Sequence, residues 1–377
     1  MVDEPDGLRN LLRDEARRCV RRRILPRASP HMGDAGTLAR SLAAMGDAGF
    51  LGILIPTLYG GEGGGWQEAA IVVEETARGE PLLAMMLAAH LTCCSGILRW
   101  GDADRKGRFL PPLAGGERLG GVALTEPEAG TDYTAVRTRA ERRGGRLVVN
   151  GNKCFVTNTG PGLQSGILAI CRGERGLAAI YLPCDSPGLH LAHRYRFAGW
   201  DHLPNHAVLL QDCTVPADNL LREDLDRADL ETLLDGARLL TSATAGGMAT
   251  ACLEEASAYA RERRQGGKRI IDHQALHFRL ADMATSVELM RNSLTLAASR
   301  LEAGVDCHHE MNMLTLFAVT RLEEIASAAV ETAGAYGYTV DCRLSELYRD
   351  AKGLQLFWGS RDLLRLEIAG GLFPEGL

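Results

Sequence analysis

The sequence predicts an α+β chain in three successive parts, helical, then β, then helical again. Two observations carry this. Residues 1 to 118 and 223 to 377 show apolar residues at helical spacing, the first stretch being rich in Ala, Leu, Arg and Glu. Residues 119 to 222 instead break into short alternating apolar segments punctuated by Gly, Asn, Asp and Pro. Apolar residues three and four apart line one face of a helix, whereas strict alternation lines one face of a strand. A chain of 377 residues is long enough for two or three cores of this kind.

In the first part, the basic run "RRCVRRR" (17 to 23) reads as the solvated face of a helix. Asp3, Glu4, Asp6, Asp14 and Glu15 around it argue against a mitochondrial presequence. "IPTLYGGEGGG" (55 to 65) has no phosphate-loop lysine and reads as a surface loop. "LLAMMLAAHLTCCSGIL" (82 to 98) approaches membrane-spanning length, but His90 and charged flanks make a buried core helix the expectation, with no membrane span.

The second part contains "RLVVNGNKCFVTN", "SGILAICRGERGLAAIYLP" and "HAVLLQDCTVP". Their β-branched content and turn residues predict an antiparallel β domain. In the third part, "ARLLTSATAGGMATACLEEASAYARERR" and "LHFRLADMATSVELMRNSLTLAASRLEAG" place small or apolar residues on one face, as a helical bundle requires.

Composition excludes some functions. The net charge of -6 argues against nucleic acid as a partner. Ten scattered cysteines form no CxxC pair, which predicts a reduced, cytoplasmic protein with no metal site.

The chemistry is carried by a series of motifs. "ALTEPEAGTD" (123 to 132) sits at the first helix-to-β transition, followed by "GNKCFVTNTG", "GWDHLPN", "VPADNLL", "YARERRQGGKRIIDHQ" and "GAYGYTVDCRLSELYRDAKGLQLFWGS". In this order and spacing the series resembles the acyl-CoA dehydrogenase family over nearly the whole chain. The resemblance implies an N-terminal helical domain, a middle β-barrel domain and a C-terminal four-helix bundle. It implies FAD, an acyl-CoA or acyl-carrier-protein thioester as substrate, and a homo-oligomer built as a dimer of dimers. Neither the acyl group nor the electron acceptor follows from it.

Residue by residue, the resemblance assigns Thr157 to the flavin N5 region and Phe155 to the aromatic lying against the flavin ring. Thr125 and Thr131 match donors to the flavin ring and phosphates, and Gly334 and Ser360 fall at cofactor positions. Arg263 matches an arginine reaching a neighbouring subunit's FAD pyrophosphate, an anion that a guanidinium suits. Arg238 matches an arginine near the active site, and Thr92 to Cys94 a helix segment lining the acyl pocket.

The pattern then breaks. Family members read Tyr-Glu-Gly-Thr where this chain has "FWGS", so Trp358 replaces the glutamate that takes the substrate's α-proton. Some relatives carry their glutamate at the position of Ala237 instead. Asp362 is the nearest alternative base in sequence, while Glu231 and Asp235 point to other helix faces. Glu331 replaces a glutamine near the adenosine end, adding a negative charge worth about 1 kcal/mol of repulsion at intermediate dielectric. The Trp358 backbone N–H survives the substitution as an oxyanion donor. Three readings stay open: a flavoenzyme for an unusual thioester, a base-lacking partner of a base-bearing paralogue, or a flavin monooxygenase of the same fold.

Overall fold

The computed structural model describes residues 4–25, 35–160 and 162–373. Asp3 lies outside them. Helix α1 (Glu4–Cys19) runs into a π turn (Val20–Ile24) and buries Ala16, Val20 and Ile24. The basic run is not wholly solvated, because Arg17 binds the buried Glu75 at 3.0 Å. That contact, with Arg13 on Glu74 and Glu75, clamps α1 onto α3 (Trp66–Gly79). Helix α2 (Ala35–Asp47) lies between them in sequence.

The long apolar stretch forms α4 (Pro81–Trp100), with proline at its first turn. Among the described residues it is the one helix long and apolar enough to cross a membrane, and it is buried inside the protein. Helix α5 (Ala103–Ala114) follows, its N-terminus capped by Asp102 accepting from the Arg105 N–H at 2.9 Å.

Eight strands form the middle sheet: β1 (Leu119–Ala123), β2 (Arg139–Arg143), β3 (Arg146–Thr157), β4 (Ser165–Arg172), β5 (Leu177–Pro183), β6 (Leu189–Arg194), β7 (Asn205–Pro216) and β8 (Leu220–Leu225). Their order is β6-β7-β3-β2-β4-β5-β8, with β1 paired to β4. Gly144 and Gly145, both at positive φ, make the two-residue turn joining β2 to β3. The sheet is mixed rather than purely antiparallel. β1 and β2 both pair with β4 in parallel, because the β2–β3 hairpin reverses the chain and the connection from β3 to β4 reverses it again.

Helix α6 (Arg227–Glu262) opens on a capping box between Asp226 and Asp229. With α7 (Gln274–Glu302), α8 (His308–Ala333) and α9 (Arg343–Leu354) it builds the C-terminal bundle, and α10 (Arg361–Leu372) packs on α8. Small residues permit the close crossing of α6 on α3: a Cβ at Gly247 would lie 2.1 Å from the Glu74 carbonyl.

One apolar core joins the N-terminal helices to the bundle, and another fills the sheet. A third lies between α4, α5, the sheet and the start of α6, and Trp358 packs against it. The site forms at that junction.

Candidate active site

A cavity of about 720 Å³ opens where the sheet meets the bundle. It is within the size range of small-molecule and cofactor sites. Thr125, Thr131, Phe155, Thr157, Arg238, Trp358 and Ser360 all line it. The sequence places these seven in four separate stretches, and the fold brings them together.

Strand β3 shapes one wall. Its register with β7 slips between Lys153 and Val156, a bulge that puts Phe155 at φ 57°. The bulge turns the ring out, leaving it 53% exposed and stacked on Tyr195 at 4.3 Å. The Cys154 N–H donates to the Thr125 carbonyl at 2.9 Å, tying the bulge to the "TEPEAGTD" loop. Asn205 donates to the Phe155 carbonyl at 3.1 Å and to the Thr157 hydroxyl at 2.9 Å. The Thr157 O–H is thereby left to donate elsewhere.

That loop rests on a buried ion pair that sequence reasoning missed. Lys153 is fully buried and donates to Glu126 at 2.7 Å, to the Ile170 carbonyl at 2.6 Å and to the Leu124 carbonyl at 3.1 Å. Glu126 also accepts from the Arg137 and Thr138 backbone N–H groups. Although burial opposes its charge, these bonds hold its carboxyl below the usual range. The sequence signal was a lysine in step with Leu147 and Val149, the inward positions of β3.

The opposite wall is the turn after α9. Trp358 sits at φ 56°, followed by Gly359 at φ 123°. Its carbonyl accepts from Arg238 Nε at 3.2 Å, and its backbone N–H has no partner among the described residues. Arg238 is fully buried and also binds Asn312 at 2.5 Å and Glu367 at 3.2 Å. Trp200 braces α9 from the sheet side, its N–H donating to Asp350.

Glu367 is a second group that the sequence analysis passed over. It lies on the apolar face of α10, three residues after Leu364, and that position was the available signal. It faces Arg238 and, at 3.7 Å, His308, which in turn binds Asp235 at 2.7 Å. Burial disfavours charge on His308, but the two carboxylates outweigh it and raise its pKa to about 9. Burial likewise disfavours charge on Glu367, yet His308 and Arg238 hold it below the ordinary carboxyl range. A carboxylate locked between two cations, and absent from the cavity wall, is a poor proton acceptor.

Several expected placements are corrected. Asp362 is no candidate base, because its side chain is 88% exposed and paired with Arg365 one helical turn on. Thr92 and Cys94 are buried away from the cavity. The Thr92 hydroxyl bonds the Ala88 carbonyl one turn back, and the Cys94 thiol faces His90. The face of α4 that reaches the cavity carries Met85 and Ala89 instead. Glu331 is not a bare charge, since Arg279 pairs with it at 3.1 Å. Glu331→Gln is accordingly expected to change flavin occupancy by less than about twofold, as exposed pairs contribute little. Measuring bound flavin at low and high salt checks this.

Arg263 and Gly334 do not line the cavity. They end α6 and α8, and both are exposed; Tyr259 in the last turn of α6 stacks at 5.9 Å on Tyr336 in the 3-10 turn (Gly334–Tyr338) that follows α8.

Sequence profiles of the acyl-CoA dehydrogenase N-terminal, middle and C-terminal domains match residues 9–117, 121–213 and 227–373. An acyl-CoA dehydrogenase of Bacillus subtilis is 32% identical over 98% of both chains. A glutaryl-CoA dehydrogenase of Desulfococcus multivorans is 33% identical over 95% of both. The solved butyryl-CoA dehydrogenase of Megasphaera elsdenii superposes with a TM-score of 0.89 at 28% identity, covering 99% of each chain. The chain belongs to the acyl-CoA dehydrogenase family. It is a flavoprotein oxidoreductase, and the family's cofactor is FAD. The residues present fit that group. An exposed aromatic face at Phe155, the free hydroxyls of Thr125 and Thr131, and the outward Thr157 O–H all border one largely apolar cavity. Among the described residues, no aspartate or glutamate lines the cavity.

Proposed function

We propose that the protein oxidises an acyl thioester, carried on CoA or on protein-bound pantetheine, without the family's glutamate base. The observation that carries this reading is the Trp358 turn. Arg238 fixes its carbonyl, its amide N–H is free, and the cavity in front of it stays open with the indole in its wall.

Bound FAD would supply the hydride acceptor. Thr125, Thr131, Phe155 and Thr157 would hold its ring. The Trp358 N–H, rigid and shielded from water, would polarise the thioester carbonyl and so acidify the α-proton. No carboxylate lines the cavity to take that proton, which favours substrates whose α-proton is already acidic. The open cavity favours a working site over a base-lacking partner subunit, in which the indole would fill disused space.

The decisive experiment records the flavin spectrum of the purified protein during anaerobic titration with a panel of thioesters. Bleaching is expected with activated acyl groups and not with butyryl-CoA. A flavin-loaded protein that no thioester reduces would sink the proposal.

We further propose a dimer-of-dimers homotetramer in which the exposed Arg263 completes a neighbour's FAD site. Arg263→Ala is expected to lower flavin retention about tenfold with unchanged thermal stability of the apoprotein. A monomer that holds FAD as well as the parent protein would overturn this. A reducing, cytoplasmic setting is supported by the ten cysteines, all of them free thiols.

A further inference from the structure

Behind the Trp358 turn, three side-chain atoms are closed off from water and lack a well-aligned hydrogen bond: Arg238 Nη2, Glu367 Oε2 and His308 Nε2. They lie in a row. Glu367 Oε2 is 3.2 Å from Arg238 Nη2 and 3.7 Å from His308 Nε2. The row is tied at both ends, by Arg238 Nε donating to the Trp358 carbonyl and by His308 Nδ1 donating to Asp235 at 2.7 Å. Arg238 lines the cavity described above. His308 and Asp235 line a second one, of about 790 Å³, bounded also by Trp66, Glu231 and Asp306. The charges thus run through the protein from one cavity wall to the other. Protons can enter at His308, whose side chain is 21% exposed, whereas that of Arg238 is fully enclosed.

As an imidazolium, His308 balances the row, two cations against two carboxylates, and can donate from both nitrogens. A neutral imidazole donates from one alone. The shorter bond, to Asp235, then takes the remaining proton, and a lone pair on Nε2 faces Glu367. Resting on the thioester reading above, we propose that Glu367 and His308 are positioning residues that set the Trp358 turn through Arg238. Proton loss at His308 then loosens the amide N–H that receives the thioester carbonyl. Among the described residues, Arg238 is the one cation left in contact with Glu367, and drawing toward it pulls Nε off the Trp358 carbonyl.

The groups facing His308 fix the sign. On α6, Glu231 lies 3.9 Å from Nε2, and in the preceding turn Asp306 accepts from the His308 backbone N–H at 3.4 Å. Burial pushes the neighbouring Cys307 thiol up to about 11, so it carries no charge. Arg300 of α7 is taken up by Glu310 at 2.9 Å. Burial opposes a charge on His308, as does Arg238, but Asp235 and Glu367 outweigh both and place its pKa at about 9. The turn is therefore held below that pH and loosens as pH rises through it. Because the proton exchanges through the second cavity, a ligand in the first does not block the change.

The test titrates FAD-loaded protein with butyryl-CoA, expected to bind without bleaching the flavin, at intervals from about pH 7.5 to about pH 10. The dissociation constant is expected to rise about tenfold with a midpoint near about 9, a coupling of ordinary size. His308→Gln, whose amide donates but does not titrate, and Glu367→Gln are each expected to flatten the rise to less than about twofold. A merely structural role would lower stability in both variants and leave the rise in place. The emission of Trp358 without ligand, taken as the difference between the parent and Trp358→Phe, should shift with the same midpoint. An emission that does not shift, or a rise that His308→Gln retains, overturns the inference. Where a variant does not fold the parent decides, since a dissociation constant that stays level across the range overturns it alone. Failure of butyryl-CoA to bind at any pH counts against the thioester reading, while the emission titration still decides whether His308 sets the turn.

Discussion

Trp358→Glu is expected to bleach its flavin with butyryl-CoA about 10²- to 10⁴-fold faster than the parent protein, which is expected to show negligible reduction. The gain is the usual contribution of a positioned general base, added to a site that keeps its other parts. The backbone at this point is over-determined. Arg238 holds the Trp358 carbonyl at 3.2 Å, and a glycine at φ 123° follows. A new carboxylate would leave from the same Cα, toward the cavity that the indole now lines. The buried Arg238 nearby favours its ionised form.

No carboxylate on the cavity wall competes for the role. Ala237 carries no acceptor, Asp362 is turned to solvent and paired with Arg365, and Glu367 is locked between Arg238 and His308. Stopped-flow absorbance under anaerobic conditions measures the difference. Rapid bleaching of the parent protein by butyryl-CoA would show that a base exists and that the reading of Trp358 is wrong. A flavin-loaded but silent Trp358→Glu would show that the turn does not aim its side chain at the α-carbon.

The division into helical and β parts was legible because apolar periodicity changes sharply near residues 119 and 225. The parallel pairings of β1 and of β2 with β4 escaped, since register between distant strands is set by topology rather than by local pattern. The cavity wall was legible as motifs to the extent that Thr125, Thr131, Phe155 and Thr157 all line it. What sequence reasoning misplaced were side chains whose direction depends on helix rotation. Thr92 and Ala89 are three residues apart on α4, yet only Ala89 reaches the cavity, while the Thr92 hydroxyl bonds its own backbone. Glu367 and His308 matched no motif, so their pairing emerged only from the partners they face in the fold. Glu331 misled in the opposite way: its charge was legible, but Arg279, fifty-two positions earlier in the chain, was not.

Lys153→Met is expected to lower the unfolding free energy by about 3–5 kcal/mol, the usual cost of removing one member of a buried ion pair. Lys153 has no exposed surface, and its ammonium makes three short bonds, so methionine fills the space and leaves every acceptor behind. The stranded Glu126 then retains only the Arg137 and Thr138 N–H groups. Its carboxyl is now held below the usual range, so its contribution is present above the unfolded carboxyl pKa and fades as pH falls through the lower folded value. The deficit of Lys153→Met relative to the parent should therefore be full at pH 7 and shrink below about pH 4. Adding Glu126→Gln should recover part of the loss, because it removes the uncompensated charge. Flavin retention should fall alongside stability, since the same pair holds the loop bearing Thr125 against the β3 bulge bearing Phe155. Urea unfolding of the parent and the two variants across pH measures the stabilities, and bound-flavin absorbance measures retention. A deficit under about 1 kcal/mol at pH 7, or one that does not narrow in acid, would mean that the loop is fixed by packing and that the ion pair is incidental to the site.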